Sequence, residues 1–439
     1  MSKRGFRIGV LTCCLVGLFG LGLATTPAVA ADKVKVTIWS EFPEIHEMIS
    51  AVAKQYMAEH PEIIVEATLY PQRALAEKVA VALPAGQAAD LLEIDKMALY
   101  PYYVDGYVEP ITGDMEKWVK DNWPQDSIEA VTAADGQMFC FPWFVSLKLM
   151  FYNKDYFAEA GITKTPETVD EMIAMSQKLV KRDADNKVTR SGLGYRLSGG
   201  GFGTAQKFWT QAMIPYGAKA IEKVGDKWRA GYDNEAGLKA MQMYLNAIYK
   251  DNVVSFDIKS DAEGFGLGFA AMFQRESWVV GYMAKNAPKI NYGVFLMPKG
   301  PGDWGTVGNT VALGLSKGSK NKKEALDFAQ YLMNDANSRK LLAETGWQPF
   351  RVNVDYKDIF EKMPALKTFV DGLNTKGFKV YDYENISPIS EIHNRFAERL
   401  MRAFKMKELY EKPEELKAFL HAAAEETNSI LQENDLLAK

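Results

Sequence analysis

Cysteine, histidine and net charge are what this 439-residue chain has least of: three Cys, four His and a formal charge of −4. Cys13 and Cys14 both lie near the N-terminus, which leaves Cys140 by itself, so no disulfide framework holds the rest of the chain. Cys140 sits within Met138-Phe139-Cys140-Phe141, a setting for a buried thiol and not for a nucleophile. His46, His60, His393 and His421 are scattered, and no Cys/His cluster has metal-ligand spacing, so no metal or other cofactor is expected. His46-Glu47-Met48-Ile49-Ser50 opens like a zinc-protease helix, but Ser50 stands where the second His belongs. There is no basic excess to neutralise phosphates, which argues against a nucleic-acid partner. With 47% hydrophobic and 25% charged residues the composition is that of a globular protein, long enough for two or three domains.

Nucleotide motifs are missing as well. No Gly-x-x-x-x-Gly-Lys-Ser/Thr occurs, and neither Gly264-Phe265-Gly266-Leu267-Gly268 nor Gly199-Gly200-Gly201 completes a dinucleotide fingerprint. Gly314-Leu315-Ser316-Lys317-Gly318 fits the Gly-x-Ser-x-Gly pattern of a hydrolase, with His393 downstream. The hydrophilic run that follows places Ser316 in a surface turn instead, because a nucleophile elbow must lead straight into a packed helix. Asp183-x-Asp185 resembles the start of a calcium loop, but Lys187 and Thr189 break it and a solvated hairpin is expected.

What is present begins with a leader. Lys3, Arg4 and Arg7 precede an uncharged apolar run, Ile8 to Leu23, and Ala28-Val29-Ala30 supplies a small-x-small cleavage site. Cleavage is expected after Ala30, giving a periplasmic protein secreted through a cleaved signal peptide. The run is short for a membrane span, and Cys13 and Cys14 lie inside it, which argues against lipidation.

Beyond the leader, Val34–Trp39, Ile63–Leu69 and Leu91–Ile94 read as strands, with helices over Ile45–Tyr56 and Leu75–Leu83 between them. That alternation opens a parallel α/β sheet, with ligand chemistry beyond the strands' C-terminal ends. Those ends deliver Glu41, Gln72 and Asp95. Phe139–Trp143 and Lys148–Tyr152 read as two strands, Tyr292–Phe295 and Thr310–Leu315 as further ones, and Gly305–Asn309 as turn-rich. Helices fill most of 322–342 and 390–433.

Several blocks taken together resemble a family. They are Asp135-Gly136-Gln137-Met138 leading to Pro142, Tyr152-Asn153-Lys154-Asp155 with Ala160-Gly161 and Pro166-Glu167-Thr168, and Ala270-Ala271-Met272 followed by Trp278. Met297-Pro298-Lys299-Gly300, Ser316–Lys322 with Ala325 and Phe328, and Gly346-Trp347-Gln348-Pro349 complete the set. The chain resembles the extracellular solute-binding proteins of carbohydrate ABC transporters, the family that includes maltose-binding protein. The resemblance implies a non-enzymatic receptor with a two-lobed, type II periplasmic-binding-protein-like α/β fold and a cleft between lobes joined by hinge strands. One lobe would span 31–143 plus 305–355 and the other 144–304 plus 356–439, with crossings near Trp143–Ser146 and Gly302–Asn309. It implies a monomer that takes a carbohydrate, or alternatively a polyol or glycerol-phosphate-like solute, to ABC permease subunits. It places Glu41, Gln72, Asp95, Trp143, Trp278, Asn309, Trp347 and Arg351 at the cleft. Ser146 stands where maltose-binding protein carries a cleft Glu, which weakens the inference to maltose. Sugars need aromatic faces for their C–H patches and fixed polar groups for their hydroxyls, and these residues supply both.

Overall fold

The structure is a computed structural model, and it describes residues 33–198, 202–259 and 261–438. The leader, residues 1–30, with the expected cleavage after Ala30, and the Gly199-Gly200-Gly201 run lie outside the described residues. Among the described residues no helix is long and apolar enough to cross a membrane, and no cluster of His, Cys, Asp and Glu has the form of a metal site.

The first half follows from its patterning. β1 (Val34–Ser40) is rich in β-branched residues, and α1 (Pro43–Glu59) starts with Pro at its first turn, where no backbone donor is lost. Ile45, Met48, Ile49, Val52 and Tyr56 form the buried face of α1 at spacings of three and four. β2 (Ile63–Leu69), α2 (Gln72–Ala82) and β3 (Leu91–Asp95) follow, and β1 pairs in parallel with both β2 and β3. α3 (Lys96–Val104) leaves β3 without a loop, and a short β4 (Val108–Glu109) borders the sheet.

Two long strands run through the centre. β5 (Phe141–Asn153) is one continuous strand where the sequence suggested two. It lies antiparallel to a return strand, Gly305–Ser316, with Asn309 opposite Ser146 and a bulge between Val311 and Ala312. The return strand also includes Gly305–Asn309, which read as turn-rich. Its small residues answer a different demand, since a Cβ on Gly305 would stand 2.2 Å from the Lys379 carbonyl oxygen. Both strands are buried almost throughout, so neither shows the alternation of a half-exposed strand.

The sheet order runs from strand Met272–Glu276 through β5, the return strand, β3 and β1 to β2. Two apolar cores form on it. One gathers Ile38, Val52, Leu92, Phe141, Phe144, Val311 and Trp347; the other gathers Val145, Leu147, Phe151, Phe208, Phe273, Val307 and Phe396. On β5 the change of core falls between Phe144 and Val145. Burying each such side chain contributes about 1.5–3 kcal/mol, so each core is held by its own packing. Asp183 accepts from the backbone of Asp185 and Lys187 in a hairpin between Lys181–Arg182 and Val188–Arg190, not in a calcium loop.

Candidate ligand-binding cleft

Parallel strands β1 and β3 run side by side, and the C-terminal end of β3 meets the middle of the return strand, Asp95 opposite Val311. Asp95, the last residue of β3, is 3% exposed. Asn309 Nδ2 donates to Asp95 Oδ1, and Gln72 Nε2, from the first turn of α2, donates to Oδ2 at 3.3 Å. Burial pushes the Asp95 carboxyl up to about 7; Lys148 and the Asn309 hydrogen bond oppose the rise, and Asp382 and Glu276 add to it. Glu41 and Glu93 lie behind it as an inner layer, with the Glu41 backbone N–H donating to Glu93 Oε2 at 2.7 Å. Burial, and then neighbouring carboxylates, raise the Glu41 pKa well above its usual value.

The facing wall comes from the other core. Trp278 opens helix Trp278–Asn286, packs against both cores, and donates from Nε1 to Glu276 Oε2 at 3.2 Å. Arg275 pairs with Glu276 at 3.0 Å and lies 5.3 Å from the Trp278 ring centre. Lys148, fully buried, stands 3.8 Å from the other Glu276 oxygen. Burial alone would raise the Glu276 pKa, but Arg275, Lys207 and Lys148 hold it well below the usual carboxylate range. Trp347 donates from Nε1 to Glu44 Oε1 at 2.9 Å and packs at 5.3 Å against Phe42 and Phe144.

Between the walls lies a cavity of about 370 Å³. The structure brings Gln72, Asp95, Trp278, Asn309 and Trp347 together around it, along with Ser146. Glu41 is set behind the wall, where its Oε1 has no partner among the described residues. Trp143 is 2% exposed and packs in the first core against Phe144. Arg351 lies away from the cavity: its guanidinium pairs with Asp335, donates to the Met333 carbonyl oxygen at 3.0 Å and covers the Trp123 ring at 4.8 Å. Sequence reasoning missed Phe42, Glu44, Arg196, Phe202, Gln206, Arg275 and Glu276, which also line the cavity. The Arg275-Glu276 pair just before Trp278 was the one signal available, two charges ending an apolar segment.

The hydrolase pattern dissolves in three dimensions. Ser316 is not in a surface turn; it ends the return strand at 1% exposure, and its backbone N–H bonds the Asp90 carbonyl at 2.9 Å. His393 packs between Trp209 and Tyr383 in the second core, and among the described residues neither of its ring nitrogens nor Ser316 Oγ has a partner. Ser316 and His393 make no pair with each other. Cys140 is buried as expected, and burial raises its thiol pKa further.

The model of the family described as bacterial extracellular solute-binding protein matches residues 42–338. The chain belongs to that family. Its members are non-enzymatic receptors, and this binding protein is the solute-binding component of an ABC transporter. It is similar to a putative binding protein of Brucella abortus, 26% identical over 374 residues that cover 84% of this chain and 87% of the relative. It is also similar to the multiple sugar-binding protein of Streptococcus mutans, 24% identical over 352 residues, 74% of this chain and 78% of the relative. Among solved structures, a Thermotoga lettingae ABC transporter solute-binding protein bound with α-D-tagatose superposes with a TM-score of 0.76 at 23% identity, covering 91% of this chain and 100% of that one. That likeness establishes the fold.

Proposed function

We propose that this binding protein takes a sugar of one or two rings into the cleft and delivers it to membrane permease subunits, working in the periplasm as a monomer after loss of its leader. The observation that carries the reading is the cavity of about 370 Å³ with Asp95, Gln72 and Asn309 on one wall and the Trp278 ring on the other. That volume is near the lower end for ligand sites, which suits a small saccharide better than a long chain. Carboxylate and amide groups take hydroxyls, and an indole covers a C–H face. The lobes proposed are 31–143 with 305–355 and 144–304 with 356–439, and the site residues proposed are Asp95, Gln72, Asn309, Trp278 and Trp347.

A polyol or glycerol-phosphate-like solute is the second reading, favoured by Arg196 and Arg275 at the cavity. A thermal-shift screen against mono- and disaccharides, polyols and glycerol 3-phosphate separates the two, since a ligand that binds only the native state raises Tm. The sugar reading predicts a shift from a mono- or disaccharide that is recovered unaltered. A shift from polyols or glycerol 3-phosphate alone would contradict it.

A further inference from the structure

A lysine is buried one layer behind the cavity wall. Lys148 lies on β5 two residues past Ser146, on the same face of the strand, and is 0% exposed. Its Nζ donates to the Ser146 carbonyl oxygen at 2.9 Å and to Ser146 Oγ at 3.3 Å, and it stands 3.8 Å from Glu276 Oε1. Ser146 itself lines the cavity and lies opposite Asn309 on the return strand. Thr306 Oγ1 donates to the Lys148 backbone carbonyl at 2.5 Å, which pins β5 at this position.

A buried ammonium is costly unless negative charge balances it. Two carboxylates, one on each wall, supply that charge. Glu276 Oε2 already holds Arg275 at 3.0 Å and the Trp278 indole N–H at 3.2 Å. Asp95 is different: Gln72 and Asn309 hold it through neutral amides, and among the described residues it forms no ion pair. Burial lowers the Lys148 pKa and Arg275 adds to the fall, while Glu276, Asp95 and Asp382 oppose it. Lys207 is a further cation nearby, but burial pushes its own pKa well down.

The other acids around Asp95 work against its charge. Asp382 and Glu276 raise its pKa, and Glu41 and Glu93 repel it from behind. Asp382 is in turn 3.6 Å from the buried Lys96. After burial, the charge of Lys148 is the strongest influence on Asp95 and the one cation that favours its ionised form, which leaves the carboxyl at about 7.

We infer that Lys148 is a positioning residue of the cleft: anchored on Ser146 and shared between the Glu276 and Asp95 walls, its ammonium keeps Asp95 an acceptor for ligand hydroxyls. The consequence for binding rests on the sugar-receptor reading, while the charge arrangement is tested with no sugar present.

Carboxyl NMR of protein labelled at its aspartate side chains follows Asp95, its signal identified by its loss in Asp95→Asn. The midpoint should lie near pH 7 in the parent. It should rise by about one pH unit in Lys148→Met, as loss of a neighbouring opposite charge requires, and return toward the parent in Lys148→Arg. Calorimetry with D-glucose, D-galactose, D-mannose, maltose and cellobiose gives the binding arm. The tightest of these should lose about tenfold in affinity from pH 8 to pH 6, as a single carboxylate with a midpoint of about 7 requires. In Lys148→Met the loss should begin about one pH unit higher. An Asp95 midpoint left in place by Lys148→Met overturns the inference, and so does a moved midpoint with an affinity that stays level across pH. Where Lys148→Met fails to fold, nitrogen NMR of the parent labelled at lysine decides. Lys148 must keep its ammonium proton through the Asp95 midpoint, and a neutral amine there overturns the inference. Failure of all five sugars at every pH counts against the sugar reading alone, because the Asp95 and Lys148 titrations still decide the charge arrangement.

Discussion

Asp95 combines near-complete burial with two amide donors, Gln72 and Asn309, and that fixes its carboxylate at the cavity wall. Removing it in Asp95→Ala takes away a charged acceptor worth about 1.5–3 kcal/mol, so affinity for the sugar should fall about 10- to 150-fold by calorimetry. Trp278→Ala should cost about 2 kcal/mol or more, as loss of a large aromatic contact does. Ser316→Ala should bind like the parent, because Ser316 ends a strand inside the first core. His393 gives a test that involves no ligand. Burial holds its pKa at about 3, while an unfolded chain takes up the proton near the ordinary value of 6.5. Below pH 6.5 the unfolded state therefore binds more protons, and stability is lost as pH falls from there toward 3. Between pH 6.5 and 5 this one group costs about 2 kcal/mol. His393→Leu should remove that share of the acid sensitivity in urea unfolding; an unchanged pH slope would mean that the ring ionises in the folded state.

At the scale of elements, the crossing strands are tight and not loose. The resemblance places the second crossing at the glycine-rich stretch Gly302–Asn309. A Cβ at Gly302 would stand 2.3 Å from the Gly217 nitrogen, and one at Gly305 would stand 2.2 Å from the Lys379 carbonyl oxygen. Gly305→Ala should therefore lower stability by about 1–3 kcal/mol through overpacking, seen as a lower Tm. An unchanged Tm would show that the strands have slack there. The same packing explains what was legible in advance. β1, α1, β2 and α2 announce themselves because each leaves part of its surface exposed and so shows a pattern, while β3, buried throughout, shows as a short apolar run, and Gln72 and Asp95 at their ends enter the site. β5 and the return strand are buried on both faces, so their pattern lacks a period and Gly305–Asn309 passes for a turn. Arg275 and Glu276 went unread because Met272–Glu276 mixes apolar and charged residues without a strand signature, and Arg196 because it leaves a loop-rich stretch. Arg351 looked like a cleft cation from its place after Pro349, but Asp335 and the Trp118–Trp123 pair draw it to the far side.

At the scale of the whole molecule, two cores share one sheet, and a third tie joins them besides the paired strands. Lys96, 1% exposed at the start of α3, donates from Nζ to the Tyr383 carbonyl at 2.5 Å and to Asn385 Oδ1 at 3.0 Å. Asn385 Nδ2 donates to the Ala130 and Thr132 carbonyls at 3.0 and 3.1 Å, and Thr310 Oγ1 donates to Asp382 at 2.7 Å. These bonds tie the two cores together, so relative motion of the proposed lobes should pivot about them. A ligand touching Asp95 on one lobe and Trp278 on the other favours the closed arrangement by the contacts that the open one lacks. The central claim is that the solute is trapped between the lobes, and small-angle X-ray scattering with and without a saturating sugar tests it most directly. The radius of gyration should fall on saturation, and the ligand-free curve should fit a more open arrangement. Identical curves, from a sugar whose binding calorimetry has established, would contradict the account.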